Sequence, residues 1–179
     1  MAKLSPTKPQ FEYINSTAKF PALVAGFGAG KTEAAVQRCI IGKLKNPTSN
    51  RRNTESPYEI IFRSMDTAER IIGYAHADAD IDELDTLKES DAASVFRAIV
   101  ARNREIKPNG EPNTIGVTTT PEGFKFVYKN WKQYPKEGFE LIQAPTESNP
   151  HLPPDYVDNL KNIYPSNLLY AYLNGEFVN

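Results

Sequence analysis

One cysteine among 179 residues, Cys39, excludes an intrachain disulfide framework and suits a reducing compartment. Its place in an apolar helical stripe marks it as a small core residue. No apolar run approaches the ~20 residues of a membrane span. The Met1-Ala2-Lys3 start has no signal-peptide core, so a cytoplasmic protein is expected. Positive charge is not in excess either: 21 Lys and Arg against 22 Asp and Glu leave a formal net charge of −1. A dedicated, tight nucleic-acid binder would show a basic patch, so any DNA contact is expected to be weak or shared among subunits. Internal repeats are lacking, and the two histidines, His76 and His151, read as polar loop or strand-end residues without chemistry. What the length allows is one α/β domain that buries a core without disulfides or a structural metal, and no second catalytic domain.

Against this background the segment Ala25-Gly26-Phe27-Gly28-Ala29-Gly30-Lys31-Thr32 stands out. The apolar run Phe20-Pro21-Ala22-Leu23-Val24 before it reads as a short buried strand. After it, Ala35, Val36, Cys39, Ile40 and Leu44 recur at helical spacing. Strand, glycine loop, Lys-Thr and helix form the context in which G-x-x-x-x-G-K-[ST] binds phosphate: turning glycines let backbone N–H groups converge on an anion at a helix N-terminus. Gly26, Phe27, Gly28, Ala29, Gly30, Lys31 and Thr32 are therefore the expected nucleotide-binding residues. Lys31 would neutralise the β/γ-phosphates, and Thr32 would offer its hydroxyl to Mg²⁺. The string departs from the pattern in beginning with Ala25; the simplest alternative is a Gly-rich turn before an ordinary helix.

Elsewhere the chain alternates strand and helix signals. Residues 1–19 are polar and Pro-containing and read as a lead-in to a domain spanning 20–179, with Phe11 and Tyr13 its only aromatic groups. Segment 45–57 reads as loop. Strands are expected at 59–63, 76–81, 114–118 and 139–143. A short helix should begin at the capping box Asp66-Thr67-Ala68-Glu69 and end near Gly73. A second should be capped by Ser90 and bury Val95, Phe96, Ile99 and Val100; the aromatic segment 124–134 is also expected to be helical. Beyond the rigid Asn149-Pro150-His151-Leu152-Pro153-Pro154 connection come two helices, one carrying Tyr156, Val157, Leu160 and Ile163, the other capped by Ser166 and stopped at Asn174-Gly175. This alternation implies a mostly parallel sheet with helices on both faces and ligands at the carboxyl ends of its strands.

At one such end stands Asp82-Glu83. Asp82 would hold Mg²⁺ through its water shell, while Glu83, one residue on, would orient and polarise the water that attacks a γ-phosphate. The preceding strand also carries Asp78 and Asp80, which are costly to bury at the centre of a sheet. A solvated acidic edge, or a metal site of Asp78, Asp80 and Asp82, are the alternatives.

Seven segments in order carry a resemblance: Val24 to Thr32, Glu59-Ile60-Ile61-Phe62-Arg63-Ser64, Glu69-Arg70-Ile71-Ile72-Gly73-Tyr74, Ile81-Asp82-Glu83-Leu84-Asp85, Thr118-Thr119-Thr120-Pro121-Glu122-Gly123, Asn149-Pro150-His151-Leu152 and Leu173-Asn174-Gly175-Glu176-Phe177. Together they span nearly the whole chain, which resembles the ATPase domain of the large terminase subunit of tailed bacteriophages, the motor that pumps DNA into a preformed capsid. The resemblance implies a P-loop NTPase with a RecA-like sheet, ATP and Mg²⁺ as cofactors, and a homo-oligomeric ring at the portal protein. It also implies a small terminase subunit as partner, double-stranded DNA as cargo and the bacterial host cytoplasm as location. In such enzymes a Thr-rich strand end couples γ-phosphate loss to movement, which makes Thr118, Thr119 and Thr120 the coupling candidates. An arginine finger is expected too. Arg70 looks like the family's trans-acting arginine, although members often place it immediately before the glycine, where Ile72 stands here; Arg102 and Arg104 are rivals.

Two departures qualify the implication. The family carries another strand and helix before a segment like Glu59-Ile60-Ile61-Phe62, where this chain has only the polar 45–57 loop, so a core short of one strand-helix unit is expected. Large terminases also continue into a metal-dependent nuclease beyond a segment like Asn174-Gly175-Glu176-Phe177, so no nuclease activity is carried over. The leading expectation is an ATP-hydrolysing packaging motor domain. A degenerate nucleotide-binding or assembly module of a shortened prophage terminase, without hydrolysis, is the alternative; a helicase-like ATPase would need motor elements not found here.

Overall fold

The run Phe20-Pro21-Ala22-Leu23-Val24-Ala25 is apolar on both faces of a strand, and in the computed structural model, which describes residues 5–45, 60–65, 73 and 75–178, it forms the inner strand β1 (Phe20–Ala25). Pro21 is tolerated because one of the two ladders of β1 starts only at Ala22, while the other, which spans Pro21, is joined through the amides of Phe20 and Gly26, in step with the even-numbered residues. Around β1 run α1 (Lys8–Asn15), α2 (Lys31–Lys45), β2 (Ala79–Asp82), α3 (Glu89–Arg102), β3 (Ile115–Thr119), a π-helical turn (Tyr128–Gln133), β4 (Phe139–Ala144), α4 (Tyr156–Ile163) and α5 (Ser166–Asn174). Short 3₁₀ turns follow β2 and β4, at Leu84–Thr86 and Thr146–Ser148.

The four strands pair in the order β2-β3-β1-β4, all parallel. Val24 lies opposite Thr119, Asp82 opposite Thr118 and Ala25 opposite Ala144, so the carboxyl ends of all four strands share one edge. Alternate residues face opposite layers. Ala22, Val24, Ile81, Ile115 and Val117 pack on α3 and the π-helical turn through Val95, Phe96, Ile99 and Trp131. Leu23, Ala25, Ile142 and Ala144 pack on α1 and α2 through Tyr13, Ile14 and Ala34. The sheet is covered on both faces, as the alternation of elements predicts.

The stretch before residue 19, a polar lead-in by composition, holds α1 docked on this second layer. Pro9 fits the first turn of the helix. The side-chain oxygen of Gln10 accepts the Thr7 N–H at 2.7 Å, and Tyr13 is fully buried.

Tyr13 explains how β2 carries its extra acids. Its hydroxyl donates to Asp80 at 2.7 Å, the Cys39 thiol donates at 3.1 Å and the Arg38 guanidinium lies 3.6 Å away. Burial, partly offset by Arg38, pushes the Asp80 carboxyl up to about 6, and burial likewise raises the Cys39 thiol. Asp78 is satisfied separately, by Lys107 at 2.8 Å and the Thr114 N–H at 2.8 Å. β2 is moreover an edge strand among the described residues, not a central one, and the three acids have separate partners, so a shared Asp78-Asp80-Asp82 metal site is not formed. Gly116 is what lets this cluster close: a Cβ there would run into Asp80 Oδ1 and the Tyr13 hydroxyl. Gly116→Ala is expected to lower stability by about 1–3 kcal/mol through overpacking, which denaturant unfolding of the two proteins measures.

Other boundaries differ from the sequence pattern. Residues 60–65 form no strand; Ile60, Ile61 and Phe62 are exposed, and none pairs with β2. The expected 66–73 helix and the 45–57 loop fall almost entirely outside the described residues. β2 starts at Ala79 rather than His76, which makes a single bridge to Asn103. α3 begins at Glu89, so Ser90 lies in its first turn instead of capping it, and Val100 is exposed. The 124–134 helix takes a π turn, with the Tyr134 N–H reaching the Lys129 carbonyl five residues back. α5 is preceded by Pro165, which displaces Ser166 from the cap, and it stops at Gly175 with φ 67° as expected. Among the described residues no helix is long and apolar enough to cross a membrane.

Candidate functional site

The loop from Ala25 to Thr32 joins the carboxyl end of β1 to the N-terminus of α2. Its glycines have distinct jobs. Gly28 and Gly30 adopt φ 72° and 80°, a region open to glycine at little cost. Gly26 is needed for space, since a Cβ would lie 2.6 Å from the Tyr172 carbonyl and against Thr146. Ala25, the departure from the pattern, is the last residue of β1 with ordinary φ, so no glycine is required there.

Three of the loop's amides are engaged with protein carbonyls: Gly26 N–H donates to Ala144 O at 3.0 Å, Phe27 N–H to Tyr172 O at 2.7 Å and Ala29 N–H to Gly26 O at 3.3 Å. The Gly28 and Gly30 N–H groups meet no acceptor among the described residues. Those of Lys31 and Thr32 open the first turn of α2, where intrahelical acceptors are lacking and the helix dipole favours an anion. The ring of amides expected over 26–32 thus narrows to Gly28, Gly30, Lys31 and Thr32. Phe27 contributes packing: its ring stacks on Tyr172 with centroids 4.4 Å apart.

Lys31 is 7% exposed and folds back so that Nζ donates to Ala25 O at 3.3 Å and Gly26 O at 3.2 Å. Its ammonium lies 3.6 Å from Glu83 Oε1. Burial depresses the lysine's pKa, and the nearby Glu83 and Asp82 carboxylates raise it. Glu83 reaches this position through its backbone, the one non-glycine residue with positive φ, 53°, among the described residues. That conformation costs a side-chain-bearing residue roughly 1–2 kcal/mol and turns the residue after Asp82 into the same cleft. There Glu83 Oε2 accepts the Thr120 N–H at 3.1 Å.

Asp82 bridges the two sides of the cleft. Its carboxylate accepts from the Thr32 hydroxyl at 2.8 Å and from the Thr118 hydroxyl at 2.5 Å. Thr119 turns the other way; its Oγ1 accepts the Asp85 N–H at 3.2 Å. Thr120 Oγ1 is buried without a partner among the described residues. Asp85, fully buried, accepts the Val127 N–H at 3.1 Å, and burial pushes its carboxyl up to about 6. The open cleft lined by Phe27, Gly28, Gly30, Lys31, Thr32, Glu33, Glu83 and Tyr156 measures about 350 Å³. A roomier hollow of about 520 Å³, bounded by Lys132, Gln143, Pro145, Asn174 and Glu176, contains none of the loop's groups.

The structure therefore brings together Lys31, Thr32, Asp82, Glu83, Thr118 and Thr120. Arg70 lies outside the described residues. Arg102 and Arg104 sit where α3 ends, beside His76 and Asn103, and Asn103 meets Lys19 ahead of β1; this is the opposite end of the sheet. Gln10, Thr146 and Asn149 were not singled out as site residues by the sequence. Each bonds a loop carbonyl: Gln10 Nε2 donates to Ala29 O at 3.2 Å and Gly30 O at 3.1 Å, Thr146 Oγ1 lies 2.8 Å from Phe27 O, and Asn149 Nδ2 donates to Gly28 O at 2.6 Å. Only the polar positions Gln10, beside a helix-starting proline, and Asn149, before Pro150, hinted at them.

A family model described as terminase large subunit, T4likevirus-type, N-terminal, matches residues 43–179. The chain belongs to that family. This terminase domain also shares its fold with solved relatives at low sequence identity. The large terminase of a thermophilic bacteriophage, in complex with ADP, superimposes with a TM-score of 0.68 at 12% identity, over 97% of this chain and 54% of that one. A mutant of the Thermus phage P74-26 large terminase ATPase domain, with one arginine changed to alanine, gives 0.66 at 15% identity, over 97% of this chain and 95% of that one. Another crystal form of the thermophilic bacteriophage's large terminase gives 0.56 at 10% identity, over 98% of this chain and 54% of that one. The chain thus spans about half the length of the first of these large terminases and nearly all of the P74-26 ATPase domain. No curated protein sequence matches it. The family match begins in α2, after the glycine loop, whereas the structural likeness covers nearly the entire chain. The fold is the α/β, RecA-like one of terminase ATPase domains.

Proposed function

We propose that this terminase domain binds Mg-ATP at the glycine loop and hydrolyses it to drive double-stranded DNA into a procapsid. The observation that carries the reading is the convergence of Lys31, Thr32, Asp82, Glu83 and Thr120 on one cleft, at the carboxyl ends of three adjacent parallel strands. The ADP bound to the thermophilic bacteriophage's large terminase, which shares this fold, points to the same class of ligand. Phosphate oxygens would take the Gly28, Gly30, Lys31 and Thr32 N–H groups, and the Lys31 ammonium would leave its two carbonyls for the β/γ-phosphates.

Thr32 and Asp82 supply oxygen ligands only, as a hard cation such as Mg²⁺ prefers. Among the described residues no group of three or more His, Cys, Asp or Glu could hold a metal unaided, so Thr32, Asp82 and the phosphates would hold it together. Bound there, Mg²⁺ would neutralise phosphate charge. Glu83, fixed by the Thr120 N–H, accepts a proton from the water that attacks the γ-phosphate in line. Thr118 and Thr120 stand beside Asp82 and Glu83, on the strand end that senses γ-phosphate loss and couples it to movement; Thr119 ties that strand to Asp85.

With a formal net charge of −1, the DNA grip is shared around a homo-oligomeric ring seated on a portal protein and served by a small terminase subunit, in the bacterial host cytoplasm. Arg70 is the candidate finger for a neighbouring subunit. The second reading, an assembly module that grips nucleotide without turnover, draws on β2 standing at the edge of a four-stranded sheet among the described residues. Isothermal titration with a non-hydrolysable ATP analogue, followed by a phosphate-release assay, separates them. The motor reading expects Mg²⁺-dependent binding and release of phosphate from ATP; binding without release selects the assembly module, and no binding rejects both.

A further inference from the structure

The residues after β4 hold the back of the glycine loop, and this has a consequence for phosphate binding. A trans peptide is planar, so the C=O of one residue and the N–H of the next point in opposite directions. Whatever grips a loop carbonyl from behind therefore aims the following amide forward. Thr146 Oγ1, fully buried, lies 2.8 Å from Phe27 O and 3.0 Å from Tyr172 O. Its grip on Phe27 O sets the direction of the Gly28 N–H, one of the amides without an acceptor among the described residues. Asn149 Nδ2 donates to Gly28 O at 2.6 Å, which turns the Ala29 N–H onto Gly26 O and closes the turn. Gly26, lacking a Cβ, leaves the room that Thr146 occupies. Neither side chain lines the cleft itself.

We propose that Thr146 and Asn149 are positioning residues for the phosphate chain: they hold two loop carbonyls away from the cleft, Thr146 so that the Gly28 N–H faces the ligand before it arrives and Asn149 so that the turn presenting that amide stays closed. The inference rests on the reading of the loop as a nucleotide site. It gives the Asn149-Pro150 segment a role, since a proline that fixes the backbone just after Asn149 limits where its amide can point. It also separates two kinds of contact, because a grip on the loop concerns the phosphates and not the base.

The test compares the parent with Thr146→Val, which removes the donor at nearly constant volume, Thr146→Ser, which keeps it, and Asn149→Asp, which replaces a donor with an acceptor. Each is titrated with a non-hydrolysable ATP analogue and with inorganic tripolyphosphate in the presence of Mg²⁺, and each is melted without ligand. Losing one well-placed hydrogen bond predicts about 10-fold weaker binding for Thr146→Val and Asn149→Asp. The loss should be equal for the two probes, with Thr146→Ser within about 2-fold of the parent. Should Thr146→Val fail to fold, Asn149→Asp carries the same comparison. Parent-like affinity in both donor-removing variants overturns the proposal. So does a loss confined to the ATP analogue, or a loss that Thr146→Ser does not restore. If the parent itself binds neither probe, the nucleotide reading falls and the inference with it.

Discussion

Lys31→Ala abolishes nucleotide binding, with an expected loss of at least about 100-fold in affinity, since a charge-assisted contact to phosphate and the only ammonium in the cleft among the described residues disappear together. The fold survives the change. Lys31 is buried, its pKa is depressed chiefly by that burial, and its partners in the ligand-free chain are two carbonyls and Glu83 at 3.6 Å. An ammonium held at such a desolvation cost contributes little to stability, and under the proposed function that cost is met by an anion. Lys31→Met, which keeps the length of the side chain and drops the charge, should lose binding to the same degree. Titration with a non-hydrolysable ATP analogue, alongside thermal melting, measures both. Retained affinity in Lys31→Met would mean that the loop is only a turn.

Glu83→Gln should part binding from turnover. The amide oxygen of glutamine can still accept the Thr120 N–H, so the cleft keeps its shape and affinity should change by no more than about 3-fold. What is lost is the ability to take a proton from water, and turnover should fall by about 100-fold or more. The left-handed backbone of residue 83 is met equally by either side chain. Phosphate release under saturating Mg-ATP reads the effect directly. Equal release by Glu83→Gln and the parent would remove Glu83 from the mechanism and leave the acidic pair a structural feature beside Lys31.

The parts of the site legible in the sequence were those whose physics is local. Gly28, Gly30, Lys31 and Thr32 act through backbone conformation and a helix N-terminus, so strand, loop and helix signals in 20–45 suffice to place them. The direction of β2 and β3 was legible too, because parallel strands put Asp82 and Thr118 at the same edge as Ala25. What the sequence obscured depended on partners distant in the chain. Asp78 and Asp80 are costly acids for the strand expected at 76–81, and the groups that satisfy them, Lys107, Arg38 and Tyr13, lie far away in the chain. α1 was hidden because its buried face is polar as well as apolar, combining Gln10 with Tyr13 and Ile14. Ile60-Ile61-Phe62 shows the reverse error: three apolar residues satisfy a strand pattern, yet a strand exists only where another edge pairs with it. Thr146 carries no local signal and Asn149 only that of a polar residue before Pro150, because nothing near them in the sequence says that the glycine loop lies behind them.

The proposed function requires that the amides of Gly28, Gly30, Lys31 and Thr32, with the Lys31 ammonium and Asp82, grip a polyphosphate. A crystal structure with Mg²⁺ and a non-hydrolysable ATP analogue tests it most directly. The phosphates should lie on those amides, with Lys31 Nζ moved from the Ala25 and Gly26 carbonyls onto them and the cation held by Thr32 and Asp82. Phosphates bound elsewhere, as in the hollow beside Lys132 and Glu176, with Lys31 still on its carbonyls, would contradict it.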